Sequence, residues 1–347
     1  MKSVCKISLV LIASLAMSCR HTGIVDNASV KLARPEKSVP QLACTDLRNA
    51  FPEVLNCYRI QVVNDTVLVL QVQVCDDSPW HFKAYSTKTL NYIGSFGRNG
   101  RGPGEMLHPS IAIKSPSEKY LCVKDNSAGC SYLVDILESI EFQSTVAEQS
   151  YVLPPGIIDW IPVSAHEQFI LLSENNAMSF RLAGSEGGAL KEFDLYKGHN
   201  EERYVTHLSS ILLHNENTGQ VAEVMVFFPQ INFISTADGQ AYSVAVSKDY
   251  RNWRSVMNRM LGPETMEYYV GATSTADYIF AAYKACALGQ DNGSNGTHIH
   301  IFDWNGNFLY DISVAENIDN LAYDSINGFL YCKVRGDGVI VRYDLKM

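Results

Sequence analysis

The chain has 347 residues, with 28 Lys and Arg against 37 Asp and Glu, and a formal net charge of −9. Its basic residues are scattered and form no stripe, which excludes a nucleic-acid binder, since that class needs a basic footprint, and gives no basic patch for anionic lipid. About 330 residues remain after the N-terminal signal described next, enough for one large all-β domain or two ordinary domains.

The N-terminus has the features of a secretory signal. Lys2 and Lys6 precede an apolar run at 7–17, and the small residue Ser18 and then Cys19 follow it. The run is too short to span a bilayer as a helix, which needs ~20 apolar residues, and the order of features is typical of a signal peptide over 1–18. The sequence LAMSC resembles a bacterial lipobox, which implies lipidation of Cys19. The alternative is an ordinary signal peptide with a chance cysteine.

Residues 19–40 are predicted to be the lipidated cysteine and a flexible tether. The segment is polar, holds two prolines and has no clean period, which is typical of a disordered linker. Arg20 stands where an aspartate would resemble an inner-membrane retention signal. No acidic cluster follows, as it does in the surface-export signals of Bacteroidota lipoproteins. By this resemblance we expect an outer-membrane lipoprotein that faces the periplasm, with surface display as the alternative.

Nine cysteines are present, and seven remain once Cys5 and Cys19 are set aside. They show no CxxC and no Cys/His spacing of a zinc site, and most lie in apolar strands, where a buried thiol acts as a small hydrophobe. Cys122 and Cys130 flank the turn KDNSAG and are a candidate disulfide pair across a hairpin. Free thiols are the favoured alternative.

Strand patterns recur along the rest of the chain. β-Branched and aromatic residues alternate, and Asn-Asp, Asn-Gly, Asp-Gly and Gly-Gly turns interrupt them, which indicates hairpins. The pattern repeats about every 50 residues, with about four strands in each unit, and this is the signature of a β-propeller. Six units are predicted, at 58–96, 110–142, 157–194, 204–246, 266–312 and 318–344. The predicted fold is therefore an all-β, six-bladed propeller over 41–347.

The last unit contains only three strands before the chain ends. We expect the missing strand to come from the N-terminal segment QLACTDL at 41–47. Pairing of the first and last parts of the domain would close the ring, and closure removes exposed sheet edges that invite aggregation.

An insertion, KDYRNWRSVMNRMLG at 248–262, interrupts the repeat. Trp253, Val256, Met257 and Met260 have the spacing of one helix face. The insertion is predicted to be a short amphipathic helix that packs on the ring.

Several segments resemble one known family. The loop FGRNGRGPGEM, the stretch EYYVGATSTADYIFAAYKA and the C-terminal segments IHIFDWNGNFLYDISV and LAYDSINGFLYCKV look like the TolB-like six-bladed propeller lipoproteins of Bacteroidota. The likeness covers most of the mature chain, and 150–260 matches only in pattern. It implies a propeller on a lipid anchor and implies no activity.

The glycine-rich loop at 94–106 has some features of a phosphate site. Gly97 and Gly102 have P-loop spacing, but Pro103 and Gly104 occupy the positions of the required Lys and Ser/Thr, and a strand follows in place of a helix. The loop is therefore predicted to connect the first two blades. The charged residues of the loop are Arg98, Arg101 and Glu105. They would either brace the loop by ion pairs or contact a ligand at the mouth of the central channel.

The sequence marks no catalytic residue, no cofactor and no metal site. No GxSxG motif occurs, and the inner strands hold Asp159 and Asp319 without a systematic set of acids. His298 and His300 would share one face of a strand, which a metal site can use, but no third ligand is visible at fixed spacing. Two histidines on a solvent-facing strand surface are the favoured interpretation.

Two turns carry an Asp-Ser/Thr-aliphatic triplet that resembles the protein O-glycosylation acceptor of Bacteroidota. They place Thr66 and Ser325 as candidate acceptors. The alternative is that Asp-Ser and Asp-Thr simply favour turns.

These observations predict a non-enzymatic propeller, anchored to the membrane at Cys19, that binds a protein, peptide or glycan partner at one face of its ring. The alternative from another class is a metal-dependent, lactonase-like hydrolase or lyase with its site in the central channel, whose ligands would come from different blades. A third interpretation is a sensor that feeds a membrane complex.

Overall fold

The computed structural model describes residues 24–25, 28–52, 54, 56–112, 118–174, 177–196, 207–290, 296–336 and 338–347. The predicted signal peptide at 1–18 and the predicted lipidation site Cys19 lie outside the described residues. Strands dominate this part of the chain, and none of its helices has the length and apolarity needed to cross a membrane.

The N-terminal segment and the first three blades contain fifteen strands. The N-terminal strands are β1 (Ser29–Leu32), β2 (Lys37–Leu42) and β3 (Thr45–Asp46). Blade 1 contains β4 (Cys57–Val63), β5 (Val67–Val72), β6 (Trp80–Ser86) and β7 (Tyr92–Arg98). Blade 2 contains β8 (Pro109–Ile111), β9 (Leu121–Asp125), β10 (Cys130–Val134) and β11 (Ala147–Val152). Blade 3 contains β12 (Ile157–Pro162), β13 (Glu167–Glu174), β14 (Ala177–Gly184) and β15 (Ala189–Phe193).

The last three blades contain the remaining strands. Blade 4 contains β16 (Ser210–Asn215), β17 (Gln220–Met225), β18 (Gln230–Ser235) and β19 (Ala241–Ala245). Blade 5 contains β20 (Met266–Ser274), β21 (Tyr278–Ala287), β22 (Thr297–Asp303) and β23 (Phe308–Val314). Blade 6 contains β24 (Ile318–Asp324), β25 (Phe329–Val334) and β26 (Ile340–Asp344). The predicted all-β, six-bladed propeller is confirmed.

Apart from the strands that the N-terminal segment adds, the strands of each blade are antiparallel to their neighbours and follow chain order from the channel outwards. Connections between successive blades, such as 99–108 and 246–265, therefore all emerge on one side of the ring, which we call the inter-blade face. The turns between the first and second strands of a blade, such as 64–66 and 325–328, lie on the opposite face.

The hydrophobic core is divided among the blade interfaces. Six clusters of buried residues form within the described part of the chain, one between each pair of neighbouring blades. The strand VLVLQV of β5 is buried at every position, because its two faces pack against blades 2 and 6. A single blade could not bury both faces, so the ring must close for the core to form.

Ring closure follows the prediction. β3 pairs antiparallel with β26, with Asp46 opposite Val341 and Thr45 opposite Arg342. The N-terminal segment thus supplies the fourth strand of blade 6. Leu47 N adds a hydrogen bond of 3.1 Å to Ile340 O just beyond the ladder.

The expectation of a flexible tether up to residue 40 is wrong for its described part. β1 pairs parallel with β19, and β2 pairs parallel with β23, so each adds a fifth strand to a blade. The reason is that the outer strands of blades 4 and 5 present unpaired backbone N–H and C=O groups, which a neighbouring segment can satisfy. The segment looked like a linker because its outward side chains are polar and exposed.

Helix α1 (Ile136–Phe142) interrupts blade 2 between β10 and β11. Asp135 caps it by accepting a hydrogen bond of 3.1 Å from Glu138 N, and Ile140 packs over Gly94. The predicted unit 110–142 therefore ended too early, since the outer strand of blade 2 follows the helix.

The insertion at 248–262 contains a 3-10 helix (Lys248–Asn252), then α2 (Trp253–Met257). Met257 is buried in the cluster between blades 3 and 4, and Trp253 and Val256 pack partly against it. Met260 is 83% exposed because α2 ends before it, so the expected packing of this fourth residue is wrong. A further 3-10 helix spans Leu288–Gln290.

The candidate disulfide does not form. Cys122 lies opposite Leu133, and Cys130 lies opposite Asp125, so the hairpin register keeps the two thiols apart. No disulfide joins any of the seven cysteines that the structure describes. The predicted turns are present, with Asn64 and Asp65 both in left-handed conformation at φ 51° and 50°.

Candidate functional site

Four blades surround a small polar cavity at one end of the central channel. Its volume is about 160 Å³, and it is lined by residues of β8, β12 and β16 with Arg59 of β4 and Lys124 of β9. The lining positions on β4, β12 and β16 lie near the starts of these strands, at the inter-blade face. The cavity is therefore the mouth of the channel on that side.

Asp159 of β12 is held at the cavity wall by backbone hydrogen bonds and shares the cavity with two cations, Lys124 and Arg59. Its carboxylate accepts from Trp160 N at 2.9 Å and from Leu212 N at 3.2 Å. Removal from bulk solvent raises the pKa of Asp159, and the charges of Lys124 and Arg59 oppose that shift. Burial lowers the pKa of Lys124, against the effect of Asp159. The positive charges around Asp159 thus offset part of the cost of burying its carboxylate.

Two ion pairs lie on the other side of the channel. Lys333 Nζ is 2.7 Å from Asp319 Oδ1, and Arg335 makes two hydrogen bonds of 2.8 and 3.1 Å to Glu267. Asp159 and Asp319, the two inner-strand acids found in the sequence, belong to blades 3 and 6 and lie on opposite sides of the ring. Each has its own lysine, and the two do not share a site.

A buried carboxyl group, Glu223 of β17, lies behind the channel mouth. The Tyr196 hydroxyl is 2.8 and 2.6 Å from its two oxygens, and Asn232 Nδ2 donates to Oε2 at 2.7 Å. Burial raises the pKa of Glu223 to about 7, and the hydrogen bonds from Tyr196 and Asn232 act against this shift. Sequence reasoning missed this residue, because an acid within the strand QVAEVM is expected to face solvent.

The glycine-rich loop is braced from within. Glu105 Oε2 accepts from Gly102 N at 2.7 Å, and Arg98 Nε lies 3.7 Å from Glu105 Oε1. The carboxylate fills the space beside Gly100, where a Cβ would lie 1.9 Å from it. Of the three predicted ligand contacts, Arg98 and Glu105 meet each other, and Arg101 is exposed in the loop.

The loop also binds to the two blades that it connects. The carbonyl of Met106 lies 3.1 Å from His81 Nε2 in blade 1, and Leu107 N donates to Asp125 Oδ2 in blade 2 at 3.0 Å. Thr145 N donates to Gly104 O at 3.1 Å. These bonds fit the predicted role of a connection between blades.

A larger groove of about 550 Å³ opens on the inter-blade face between blades 4 and 5. The β17–β18 loop at 227–229 forms one wall, and the connection at 246–265 forms the other. Tyr268 N donates to Val226 O at 2.7 Å, and Val246 N donates to Pro229 O at 3.0 Å. Both walls are thus tied to the backbone of the blades.

The groove combines apolar walls with a charged rim. Its apolar lining includes Phe227, Phe228, Val256, Met266 and Tyr268. Its charged lining consists of Asp249, Arg259 and Glu264. Pockets that bind ligands typically show this mixture of apolar surface and a few polar groups. Sequence reasoning did not find the groove, because its walls are far apart in the chain.

His298 and His300 lie on one face of β22, as their spacing predicts, and β23 supplies a third group. Asp311 Oδ1 is 2.7 Å from His298 Nδ1 and 3.7 Å from His300 Nε2. Among the described residues this is the group of three His, Cys, Asp or Glu side chains close enough to hold a metal ion. Asp311 was missed because only the β22–β23 register places it opposite His300.

The two histidines differ in environment. The hydrogen bond to Asp311 raises the pKa of His298, whose side chain is 46% exposed. Burial lowers the pKa of His300 to about 3, and its ring stacks on Tyr283 with centroids 4.3 Å apart. The expectation that both rings face solvent is therefore wrong for His300, because aromatic residues of blade 5 cover it.

The two candidate glycosylation sites lie side by side. Thr66 follows the β4–β5 turn and Ser325 lies in the β24–β25 turn, both exposed on the face opposite the inter-blade face. Ser325 Oγ donates a hydrogen bond to Asp65 Oδ1 across the junction of blades 1 and 6.

Comparisons with solved structures agree with the fold. An exported protein of Bacteroides fragilis NCTC 9343 superimposes with a TM-score of 0.55 at 13% identity, over 88% of this chain and 98% of that one. A member of the DUF4221 family from Bacteroides vulgatus ATCC 8482 gives a TM-score of 0.54 at 7% identity, over 84% of this chain and 92% of that one. No curated protein matches the sequence significantly.

The family comparison covers most of the propeller. The model described as TolB-like 6-blade propeller-like matches residues 35–325, from just before the added strand β2 to the first residue after β24. This agrees with the resemblance seen in the glycine-rich loop and the C-terminal strands. The chain belongs to the TolB-like six-bladed propeller family.

Proposed function

We propose that the chain is a lipid-anchored binding module of the cell envelope, which holds a protein or peptide partner in the groove between blades 4 and 5. The observation that carries the proposal is the 550 Å³ groove with apolar walls and a charged rim. Its volume lies within the range of about 300–1,000 Å³ that is usual for ligand sites.

The chemistry of the groove favours a peptide segment over a glycan. Val256 and Met266 extend the aromatic wall with aliphatic surface, which suits an apolar side chain. Met260, 83% exposed, and Leu261, 39% exposed, follow Arg259 along the chain, and exposed apolar side chains beside a pocket are typical of protein contact sites. The rim offers both acceptors and donors for a peptide backbone.

The channel mouth supports binding more than catalysis. Asp159 lines the mouth beside Lys124, whereas Asp319 pairs with Lys333 on the opposite side of the ring. The geometry therefore gives no specific support for the hydrolase or lyase alternative.

The envelope location rests on the signal and lipobox pattern that ends at Cys19. The shared fold of the exported Bacteroides fragilis protein is in keeping with it. We place the protein at the outer membrane, facing the periplasm. Replacement Cys19→Ala should release it from the membrane fraction, and retention of that variant in membranes would contradict the anchor.

A photo-crosslinking amino acid at position 260 tests the groove. We expect it to capture one discrete envelope protein in cells, and the double change Arg259→Glu and Leu261→Asp to abolish that capture. The matched control is the same crosslinker at Ile326, which is 67% exposed on the opposite face. Equal capture from both positions, or capture that survives the double change, would contradict the groove as the binding site.

A further inference from the structure

We propose that His298, His300 and Asp311 bind one zinc ion on strands β22 and β23 of blade 5, a site separate from the groove of the proposed function. The three ligand atoms all lie within 4.8 Å of one another. Ligands of a tetrahedral zinc ion, at bonds of about 2.0–2.2 Å, lie roughly 3.3 Å apart. Small side-chain rotations therefore bring the three ligand atoms to the spacing of a tetrahedral zinc site.

The backbone already presents the three groups to one point. His298 and His300 alternate along β22 and so project from the same face of the sheet. Asp311 is the direct cross-strand neighbour of His300 in the antiparallel ladder. A rigid strand pair carries all three ligands, which limits the conformational cost of binding.

His300 is oriented by its neighbours in the way that metal-bound histidines usually are. Its Nδ1 lies 3.3 Å from the Tyr269 hydroxyl, which leaves Nε2 directed at Asp311. Its ring is fixed between Tyr283 and Phe308, with centroid distances of 4.3 and 4.7 Å. An outer hydrogen bond to the second ring nitrogen sets the tautomer and the ring position of a metal ligand.

The ligand set selects the kind of ion. Two imidazole nitrogens and one carboxylate suit zinc, whereas calcium and magnesium prefer oxygen ligands. His298 is partly exposed near the start of β22, so the ion can enter from solvent, and a water molecule can complete the tetrahedron. The single carboxylate offsets half of the charge of the ion.

The test is a calorimetric titration of the purified full chain with ZnCl₂ after dialysis against EDTA. We expect one zinc ion per chain. His298→Ala and Asp311→Asn should each weaken the affinity by at least about tenfold, since even the loss of an outer partner typically costs that much. Both residues are partly exposed, so these variants should fold, and circular dichroism checks this.

Two control variants separate this site from other binding. His166→Ala removes an exposed histidine of blade 3, and Cys75→Ser removes an exposed thiol; both should bind zinc as the unchanged chain does. Cobalt in place of zinc should give the visible spectrum of nitrogen and oxygen ligands without a thiolate band. No binding, or binding that survives His298→Ala and Asp311→Asn, would overturn the proposal, as would binding lost in Cys75→Ser.

Discussion

Thr45 lies opposite Arg342 in the ladder of β3 and β26, so the beginning and the end of the propeller meet in one blade. Only two residue pairs form this ladder. Leu47, which follows β3, packs in the cluster between blades 6 and 1. The closure of the ring therefore depends on a short segment, in which Leu47 and Phe51 are buried in that cluster.

Leu47→Ala should lower the free energy of unfolding by about 2–4 kcal/mol, because a buried leucine loses its transfer energy and leaves a cavity. Urea denaturation measures the change. Leu190→Ala is the matched control, since Leu190 is 59% exposed and its truncation should have little effect. Equal stability of the two variants would show that the closing segment does not hold the ring.

Gly97→Ala should destabilise the protein more than Gly129→Ala. Both glycines have left-handed φ, +68° and +64°, and alanine costs roughly 1–2 kcal/mol in that conformation. Only Gly97 has a neighbour in the way, since a Cβ there would lie 2.6 Å from Phe82 Cδ2, whereas nothing lies within 4 Å at Gly129. Overpacking adds about 1–3 kcal/mol. Thermal unfolding of both variants gives the difference, and equal losses would argue against tight packing beneath the loop.

Glu223 should make the stability of the protein depend on pH. Its pKa is about 7 in the folded state and 4.5 ordinarily. Between these values the folded protein keeps a proton that the unfolded chain releases, so stability is full below the lower pKa and falls as pH rises through the window.

Glu223→Gln should remove this dependence. From pH 4.5 to pH 8 the stability of the variant should gain on the order of 3 kcal/mol relative to the unchanged chain. Urea denaturation across this range measures it, with Glu148→Gln, an exposed acid of β11, as the control. Parallel pH profiles for the unchanged chain and Glu223→Gln would show that Glu223 is ionised in the folded state.

Thr66 and Ser325 should carry glycans when the protein is made in a host with Asp-Ser/Thr O-glycosylation. Intact mass should fall in two steps on Thr66→Ala and then Ser325→Ala. Ser150→Ala removes an exposed hydroxyl outside such a triplet and should leave the glycan mass unchanged. A mass equal to that of the bare polypeptide would contradict both sites.

The propeller could be predicted because each blade repeats the same local pattern. Turn residues such as Asn64-Asp65 and Asn327-Gly328 separate strands whose apolar side chains have no alternative burial than the next blade. The missing strand of the last blade pointed to the N-terminal segment for the same reason, and β3 is found there.

The features that the sequence did not predict depend on contacts between segments that are distant in the chain. The strands β1 and β2 obtain their hydrogen bonds from β19 and β23 and carry little apolar pattern of their own. The partnership of His300 with Asp311 comes from strand register, and the groove comes from the folding of 246–265 over the β17–β18 loop. Local sequence contains none of this information.

The burial of Ile24 and Val25, at 1% and 0% exposure in the cluster between blades 3 and 4, has a consequence for the proposed anchor. Four residues lie between Cys19 and Ile24, and even a fully extended chain spans only roughly 17 Å over the five steps from Cys19 to Ile24. A lipid on Cys19 would therefore be joined to the propeller by only a short linker. The protein would rest close to the bilayer with the rim of blades 3 and 4 turned towards it, and its orientation to the membrane would be set by the fold itself.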